Sequence, residues 1–309
     1  MSAVVLDPSV ISREYRDEVR ATVAGLAAAG RTPRIRGLIS QTEGPAATYA
    51  RYAQRAAEAV GAQMEVRHVE RADAPAAIAE ANLDDDIDGI FLYYPLVGRA
   101  EDRWMRELVD PRKDVEGMHS FWSRLLYENR RFVDDEGEQQ AILPCTPLAI
   151  LKLLEAAGLH ERASSGPQSP PLEGVTACVI NRSDIVGRPL SAMLANDGAR
   201  VFSLDLTGTV VFEPAIGRRT HEMRDVEMER AEALAAADAV ITGVPSADFE
   251  RVRGDEIREG AICVNVAELP NFDDSALERA SVFVPRVGPL TNQMAMRNLA
   301  RLAAMRQRS

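Results

Sequence analysis

The chain has little of what several functional classes require. It holds only three cysteines, Cys145, Cys178 and Cys263, in 309 residues, spaced too widely for a disulfide framework or a cysteine-ligated metal. Cys178 and Cys263 lie inside apolar runs, where cysteine behaves as a small buried hydrophobe. The four histidines, His68, His119, His160 and His221, show no ligand spacing with one another or with the cysteines, so no protein metal site is expected. No apolar run approaches the roughly 20 residues of a membrane-spanning helix, and no membrane partner is expected. Positive charge is in deficit: Lys and Arg number 36 against 47 Asp and Glu, a formal net charge of −11. That balance repels a phosphate backbone, and no basic block with interleaved aromatics offsets it, which argues against nucleic acid. The opening MSAVVLDPSVISREYRDEV carries acidic residues early and only a short apolar run, unlike a secretory or mitochondrial leader, so a cytoplasmic location is expected.

What is present is an alternation of helical and strand patterns along a chain long enough for two domains. In the first half a helical period from about Ile11 to Ala29 is followed by a strand, RIRGLIS (34–40). A second helix from about Ala46 to Val60 leads to a strand, MEVRHVE (64–70). A short helix over 75–82, with Pro75 in its first turn, precedes DGIFLYYPL (88–96), whose continuous apolar stretch suits a parallel strand covered on both faces. Ser, Pro and Gly concentrate around 160–174 and mark an exposed connection. Beyond it the runs at 175–181, 199–205, 238–244, 261–267 and 281–287 alternate with helices or turns. The predicted architecture is α/β with two α/β domains, the C-terminal one a Rossmann-like doubly wound parallel sheet, and an active-site cleft between them. The boundaries expected are 1–148 for the first domain, rejoined by the C-terminal helix 290–309, and 149–289 for the second. Residues 206–229 exceed a usual connection, and their pattern assigns them to no element.

The first strand of the second half runs into Asn181-Arg182-Ser183-Asp184-Ile185-Val186-Gly187-Arg188-Pro189. A strand turning tightly into a helix presents free backbone N–H groups and a positive helix end to a pyrophosphate, and glycine permits close approach. The turn lacks the G-x-G-x-x-G pattern and taken by itself equally describes an ordinary strand-to-helix connection. The next strand ends at Asp205, 18 residues after Gly187, where a carboxylate can accept hydrogen bonds from the adenosine ribose hydroxyls. A carboxylate there also repels the 2′-phosphate of NADP, so NAD is the expected cofactor. Arg182, Ser183, Gly187, Asp205 and Leu206 are the candidate contacts at this end. Gly243, Val244, Pro245, Val266 and Ala267, at the ends of later strands, are the candidates beneath the second ribose and nicotinamide. Arg218 and Arg219 offer an alternative, folding back toward a 2′-phosphate, against the plainer reading of solvated loop charges.

Four motifs occur in order: P-A-x-x-Y at 45–49, K-D-V-E-G at 113–117, P-C-T-P at 144–147 and R-S-x-x-V-G-x-P at 182–189, followed by VPRVGPLT at 284–291. Together they closely resemble the methylenetetrahydrofolate dehydrogenase/cyclohydrolase family over nearly the whole chain. The resemblance implies oxidation of 5,10-methylenetetrahydrofolate to the 5,10-methenyl form, with hydride transfer to the nicotinamide, in one-carbon metabolism and purine biosynthesis, by a homodimer. It places Tyr49 against the pterin and aminobenzoate, Tyr93 at the substrate, Glu116 at the acidic position that grips the pterin nitrogens, and Pro285 and Gly288 along the folate pocket. Tyr49 and Cys145 are then the catalytic candidates, although hydride transfer needs no thiolate and Cys145 reads equally as packing. The departures matter as much. Bifunctional members carry a lysine one helical turn after the tyrosine, and position 53 is Ala. Arg55 points about 200° around the helix from that position. Tyr93 replaces the family's glutamine, and Arg286 replaces a double glycine. These departures, with Asp205, resemble the monofunctional NAD-dependent branch and imply that cyclohydrolase activity is missing. Two other readings remain open at this stage: a bifunctional enzyme that recruits Tyr52 or Arg55, and a folate- and NAD-binding protein without catalysis.

Overall fold

The computed structural model describes residues 2–98, 100–164, 169–215 and 220–308. Arg218 and Arg219 lie outside the described residues. The chain divides into two compact units: Ser12–Leu125 with Arg131–Cys145 and Thr291–Ser309, and Met1–Ile11 with Leu126–Arg130 and Thr146–Leu290. Its elements begin with β1 (Val4–Val5), α1 (Pro8–Ala28), β2 (Arg34–Ile39), α2 (Pro45–Val60), β3 (Gln63–His68), α3 (Ala74–Leu83) and β4 (Gly89–Leu92). Helices α4 (Asp102–Leu108), α5 (Ser120–Tyr127) and α6 (Cys145–Ala156) follow. The later part holds β5 (Thr176–Ile180), α7 (Gly187–Asn196), β6 (Arg200–Asp205), β7 (Gly208–Pro214), β8 (His221–Val226), α8 (Arg230–Ala236), β9 (Ala239–Thr242), β10 (Ile262–Asn265), α9 (Asp274–Arg279), β11 (Val282–Val284) and α10 (Gly288–Arg308).

The first of these units is built on a three-stranded parallel sheet in the order β3-β2-β4. Central β2 carries Ile35, Leu38 and Ile39 into the core, and all four residues of β4 are buried, as a strand covered on both faces requires. Pro45 opens α2 in its first turn, where the missing N–H costs nothing. Helix α2 buries alanines at 46, 47, 50, 53, 56 and 57, a small-residue face that lets it lie close to its neighbours. The C-terminal helix returns to this unit. Asn298 donates to the carbonyls of Val115 and Leu143 at 2.9 Å each, and Arg306 donates to the Ile87 carbonyl at 2.6 Å.

The other unit is an eight-stranded sheet in the order β1-β11-β10-β9-β5-β6-β7-β8. Its strands from β1 to β6 are parallel, and those that are fully buried, β9 and β10, sit in its middle. Two features depart from the sequence expectation. The short apolar run at the N-terminus is strand β1, paired with β11, where no strand was expected. Within 206–229, unassigned by pattern, Gly208–Pro214 and His221–Val226 are the antiparallel strands β7 and β8, which extend an otherwise parallel sheet. The physical reason lies in the turn: β6 and β7 pair Asp205 with Gly208, leaving only Leu206 and Thr207 between them. A two-residue connection joins antiparallel strands and is too short for a crossover.

Candidate functional site

Register builds the cofactor half. Ile180 pairs with Leu204 on one side and Thr242 on the other, and Thr242 pairs with Asn265. Asn181, Asp205, Gly243 and Val266 therefore follow the strand ends along one edge of the parallel sheet, the carboxyl edge where doubly wound folds take ligands. Gly187 is the tightest point. A Cβ there would lie 1.9 Å from the Asn181 carbonyl oxygen, so the turn into α7 admits no side chain. The Gly187 amide points to the Ser183 hydroxyl at 3.4 Å, and the Arg188 amide donates to the Ser183 carbonyl at 3.0 Å. Asp205 is held at the tip of β6 by two backbone amides, Arg182 N–H on Oδ2 and Leu206 N–H on Oδ1, each at 2.7 Å. Leu206 itself is fully exposed.

A network of three asparagines ties this edge together, and the sequence reading missed all three. Asn181 adopts φ +87°, rare for a residue with a side chain, and its Nδ2 donates to the Gly243 carbonyl. Asn271 accepts from the Val244 amide at 2.8 Å and donates to the Val244 carbonyl at 3.1 Å. Asn265 accepts from the Asn271 amide at 2.9 Å and donates to the carbonyls of Ala267 at 2.7 Å and Pro285 at 3.3 Å. Gly243, Val244, Ala267 and Pro285 are thus positioned through side-chain amides; Pro245 is exposed and Val266 half-buried. Gly288 opens α10, with open space where a Cβ would stand. The available signal was a polar residue at the end of each apolar run, at 181 and 265. Asn271 lies in a loop and gave none.

The substrate half gathers four of the predicted residues in the other unit. Tyr49, half-buried on α2, meets the rings of Phe91 and Tyr93 edge-on at centroid separations of 5.9 and 6.1 Å. Phe91 and Tyr93 stack at 4.8 Å. Space for the Tyr93 ring comes from Gly37 on β2, whose added Cβ would stand 3.0 Å from Tyr93 Cε2. Tyr93 is 2% exposed and its hydroxyl is buried without a protein partner. Burial and the charge of Glu116 push its phenol above the ordinary tyrosine value. Glu116 is buried, accepts from the Leu92 amide at 3.3 Å, and has its carboxyl raised well above the usual range, first by burial and then by the Asp114 carboxylate.

The rest of the K-D-V-E-G motif serves to hold that carboxylate. Lys113 buries its ammonium against the carbonyls of Ala81, Asn82 and Asp84 at 2.7 to 3.0 Å, closing the end of α3. Asp114 accepts from the amides of Glu116, Gly117 and His119, fixing the turn. Cys145 is buried, its thiol donating to the Val115 carbonyl at 3.2 Å. Burial raises that thiol well above its ordinary value, with Glu116 and Asp114 adding to the effect. A thiol so raised is a poor source of thiolate, and its place is between the motif turn and the start of α6. Ala53, one helical turn after Tyr49, is completely buried. Tyr52 and Arg55 are exposed, and the Arg55 guanidinium lies over the Tyr52 ring at 6.0 Å.

Comparison with known proteins agrees with these two halves. The family description "Tetrahydrofolate dehydrogenase/cyclohydrolase, catalytic domain" matches residues 6–116, and "Tetrahydrofolate dehydrogenase/cyclohydrolase, NAD(P)-binding domain" matches 144–307. A relative in Schizosaccharomyces pombe, described as methylenetetrahydrofolate dehydrogenase (NAD+), is 37% identical over 275 residues, covering 88% of this chain and 85% of that one. A relative of the same description in Saccharomyces cerevisiae is 38% identical over 280 residues, covering 88% and 87%. The solved structure of the NAD-dependent 5,10-methylenetetrahydrofolate dehydrogenase from Saccharomyces cerevisiae superposes with a TM-score of 0.92 at 34% identity, covering 100% of this chain and 99% of that one.

Proposed function

Because the chain belongs to the tetrahydrofolate dehydrogenase/cyclohydrolase family, we propose that it oxidises 5,10-methylenetetrahydrofolate to 5,10-methenyltetrahydrofolate with NAD and does not hydrolyse the product. The observation that carries the cofactor choice is the Asp205 carboxylate, pinned by two amides at a strand tip beside a turn that only glycine can make. Each of its oxygens keeps a lone pair for a ribose hydroxyl, and its charge opposes a 2′-phosphate. The residues fit the cofactor: a side-chain-free turn at Gly187 for the pyrophosphate, and strand ends fixed by Asn265 and Asn271 for the second ribose and nicotinamide. When bound, NAD supplies the hydride acceptor.

The protein's part is alignment, which in favourable cases lowers a barrier by about 7–11 kcal/mol. Tyr49 offers a ring to the pterin and aminobenzoate, Glu116 binds the pterin nitrogens, and the unpartnered Tyr93 hydroxyl is a donor reserved for substrate. Pro285 and Gly288 line the folate pocket. Cys145 sets the position of the Glu116 turn through Val115. Removing a hydride from the methylene carbon moves no proton, since the flanking nitrogen lone pairs delocalise the cation. Hydrolysis of the methenyl product does require proton transfers, and a placed acid or base is worth about 10²–10⁴-fold there. Ala53 supplies none, and the exposed Arg55 and Tyr52 occupy each other. In this reading the unit of Ser12–Leu125, Arg131–Cys145 and Thr291–Ser309 carries folate and the unit of Met1–Ile11, Leu126–Arg130 and Thr146–Leu290 carries NAD, and the enzyme works as a cytoplasmic homodimer serving purine biosynthesis.

The test is an absorbance assay with methylenetetrahydrofolate and NAD or NADP side by side, followed by methenyltetrahydrofolate alone. Expected are NADH formation with kcat/KM at least about tenfold above that for NADP, a difference of about 1.4 kcal/mol, and methenyl loss at the uncatalysed rate. Reduction of NADP only, or no folate-dependent reduction, sinks the proposal. Methenyl hydrolysis above background restores the bifunctional alternative, and binding of both ligands without NADH restores the non-catalytic one.

A further inference from the structure

Arg182 seats its guanidinium on the β6–β7 corner that carries Asp205, the carboxylate read above as facing the adenosine ribose. Its backbone amide binds Asp205, yet among the described residues the side chain makes no ion pair with that carboxylate. Instead Nη1 donates to the Ser203 carbonyl at 2.9 Å, and Nη2 donates to the Thr207 hydroxyl at 2.8 Å and toward the Gly208 carbonyl at 3.4 Å. All three acceptors belong to the β6–β7 corner, within three residues of Asp205. The antiparallel hairpin therefore claims the cation. A free arginine would be drawn to a phosphate, which its planar fork fits in a bidentate manner.

We propose that Thr207 is a cofactor-specificity residue: its hydroxyl latches the Arg182 guanidinium onto the β6–β7 turn and withholds it from a ribose 2′-phosphate. Discrimination against NADP then has two parts, a repulsive carboxylate and a sequestered cation. This inference rests on the reading of Asp205 as the residue that faces the adenosine ribose. Thr207 acts through Arg182 and touches no reacting atom. Its exposed place in a two-residue turn means that its side chain is not needed for packing.

The experiment compares wild type, Asp205→Ser, Thr207→Val and the double variant by calorimetric titration with 2′,5′-ADP and with 5′-ADP, alongside kcat/KM for NAD and NADP. Thr207→Ala serves as a second variant should valine disturb the turn, and thermal melting reports folding for each. Asp205→Ser alone is expected to tighten 2′,5′-ADP relative to 5′-ADP severalfold. The double variant is expected to exceed the product of the single effects by about tenfold or more, about 1.4 kcal/mol of coupling. Adding Arg182→Gln to the double variant is expected to erase that excess, whereas Asp205→Ser with Thr207→Ser, which keeps a hydroxyl, gives none. Should Asp205→Ser behave as stated while the double variant stays within twofold of the product, or keep its excess without Arg182, the latch is wrong and the Asp205 reading stands. Should Asp205→Ser leave the 2′,5′-ADP to 5′-ADP ratio unchanged, the Asp205 reading itself fails, and the latch with it.

Discussion

Burial raises the Glu116 carboxyl well above the usual range, and the neighbouring Asp114 carboxylate adds to the rise, while the Leu92 amide opposes both. Linkage turns this into a statement about stability. A carboxyl whose folded value lies above its unfolded value, about 4.3, favours the native state fully below that unfolded value and loses the contribution as pH rises through the folded value. Glu116→Gln keeps the neutral shape and removes the titration. Melting temperatures from pH 4 to 8 are therefore expected to show the Gln variant gaining on wild type as pH rises, the relief of the coupled Asp114 carboxylate adding to the gain. A parallel pair of profiles contradicts the assignment. Donors on the pterin nitrogens favour the ionised carboxylate when substrate is bound, and the same variant loses that charge-assisted hydrogen bond, worth about 1.5–3 kcal/mol. Its KM for methylenetetrahydrofolate is expected to rise by about 10–100-fold, and a KM within twofold of wild type removes Glu116 from the substrate site.

At the scale of elements, β4, β5, β9 and β10 were legible because each is an apolar run, with at most one polar residue at an end, that a two-sided parallel strand requires. Strand β8 was not, since HEMRDV is exposed from Glu222 to Asp225 and offers no alternation to read. It is held by its antiparallel ladder with β7 and, at its first residue, by a few long-range contacts. His221 Nδ1 meets Asn196 Oδ1 at 2.8 Å, Asn196 donates to the Leu126 carbonyl at 2.9 Å, and the His221 ring lies 5.6 Å from Phe212 and 6.1 Å from Tyr127. Burial lowers the His221 pKa. A lowered base favours the native state above its unfolded value, about 6.5, and the contribution is lost as pH falls through the folded value. His221→Gln is expected to flatten the fall in melting temperature between pH 7 and 5 relative to wild type. An unchanged acid limb means that the ring does not tie the hairpin down.

For the molecule as a whole, periodicity reports how a segment pairs locally and not which sheet it joins, which is why β1 at the N-terminus went unread although two valines form it. The site divides in the same way. Asp205 and Gly187 were legible from spacing, and Glu116 from a motif, but the asparagines that fix the strand ends depend on contacts between segments 6 to 62 residues apart. Net charge, by contrast, is a global property that composition gives outright: −11, facing two ligands that are themselves anionic. Like charges slow approach and weaken binding over a Debye length, which shrinks from about 30 Å at 0.01 M salt to about 8 Å at 0.15 M. Raising sodium chloride over that range is expected to increase kcat/KM for NAD and for methylenetetrahydrofolate a few-fold through KM, with kcat unchanged. A fall in kcat/KM instead means that a local basic field overrides the global one. Repeating the titration with Arg182→Gln then tells whether the latched guanidinium is its source, since only in that case does the salt dependence reverse.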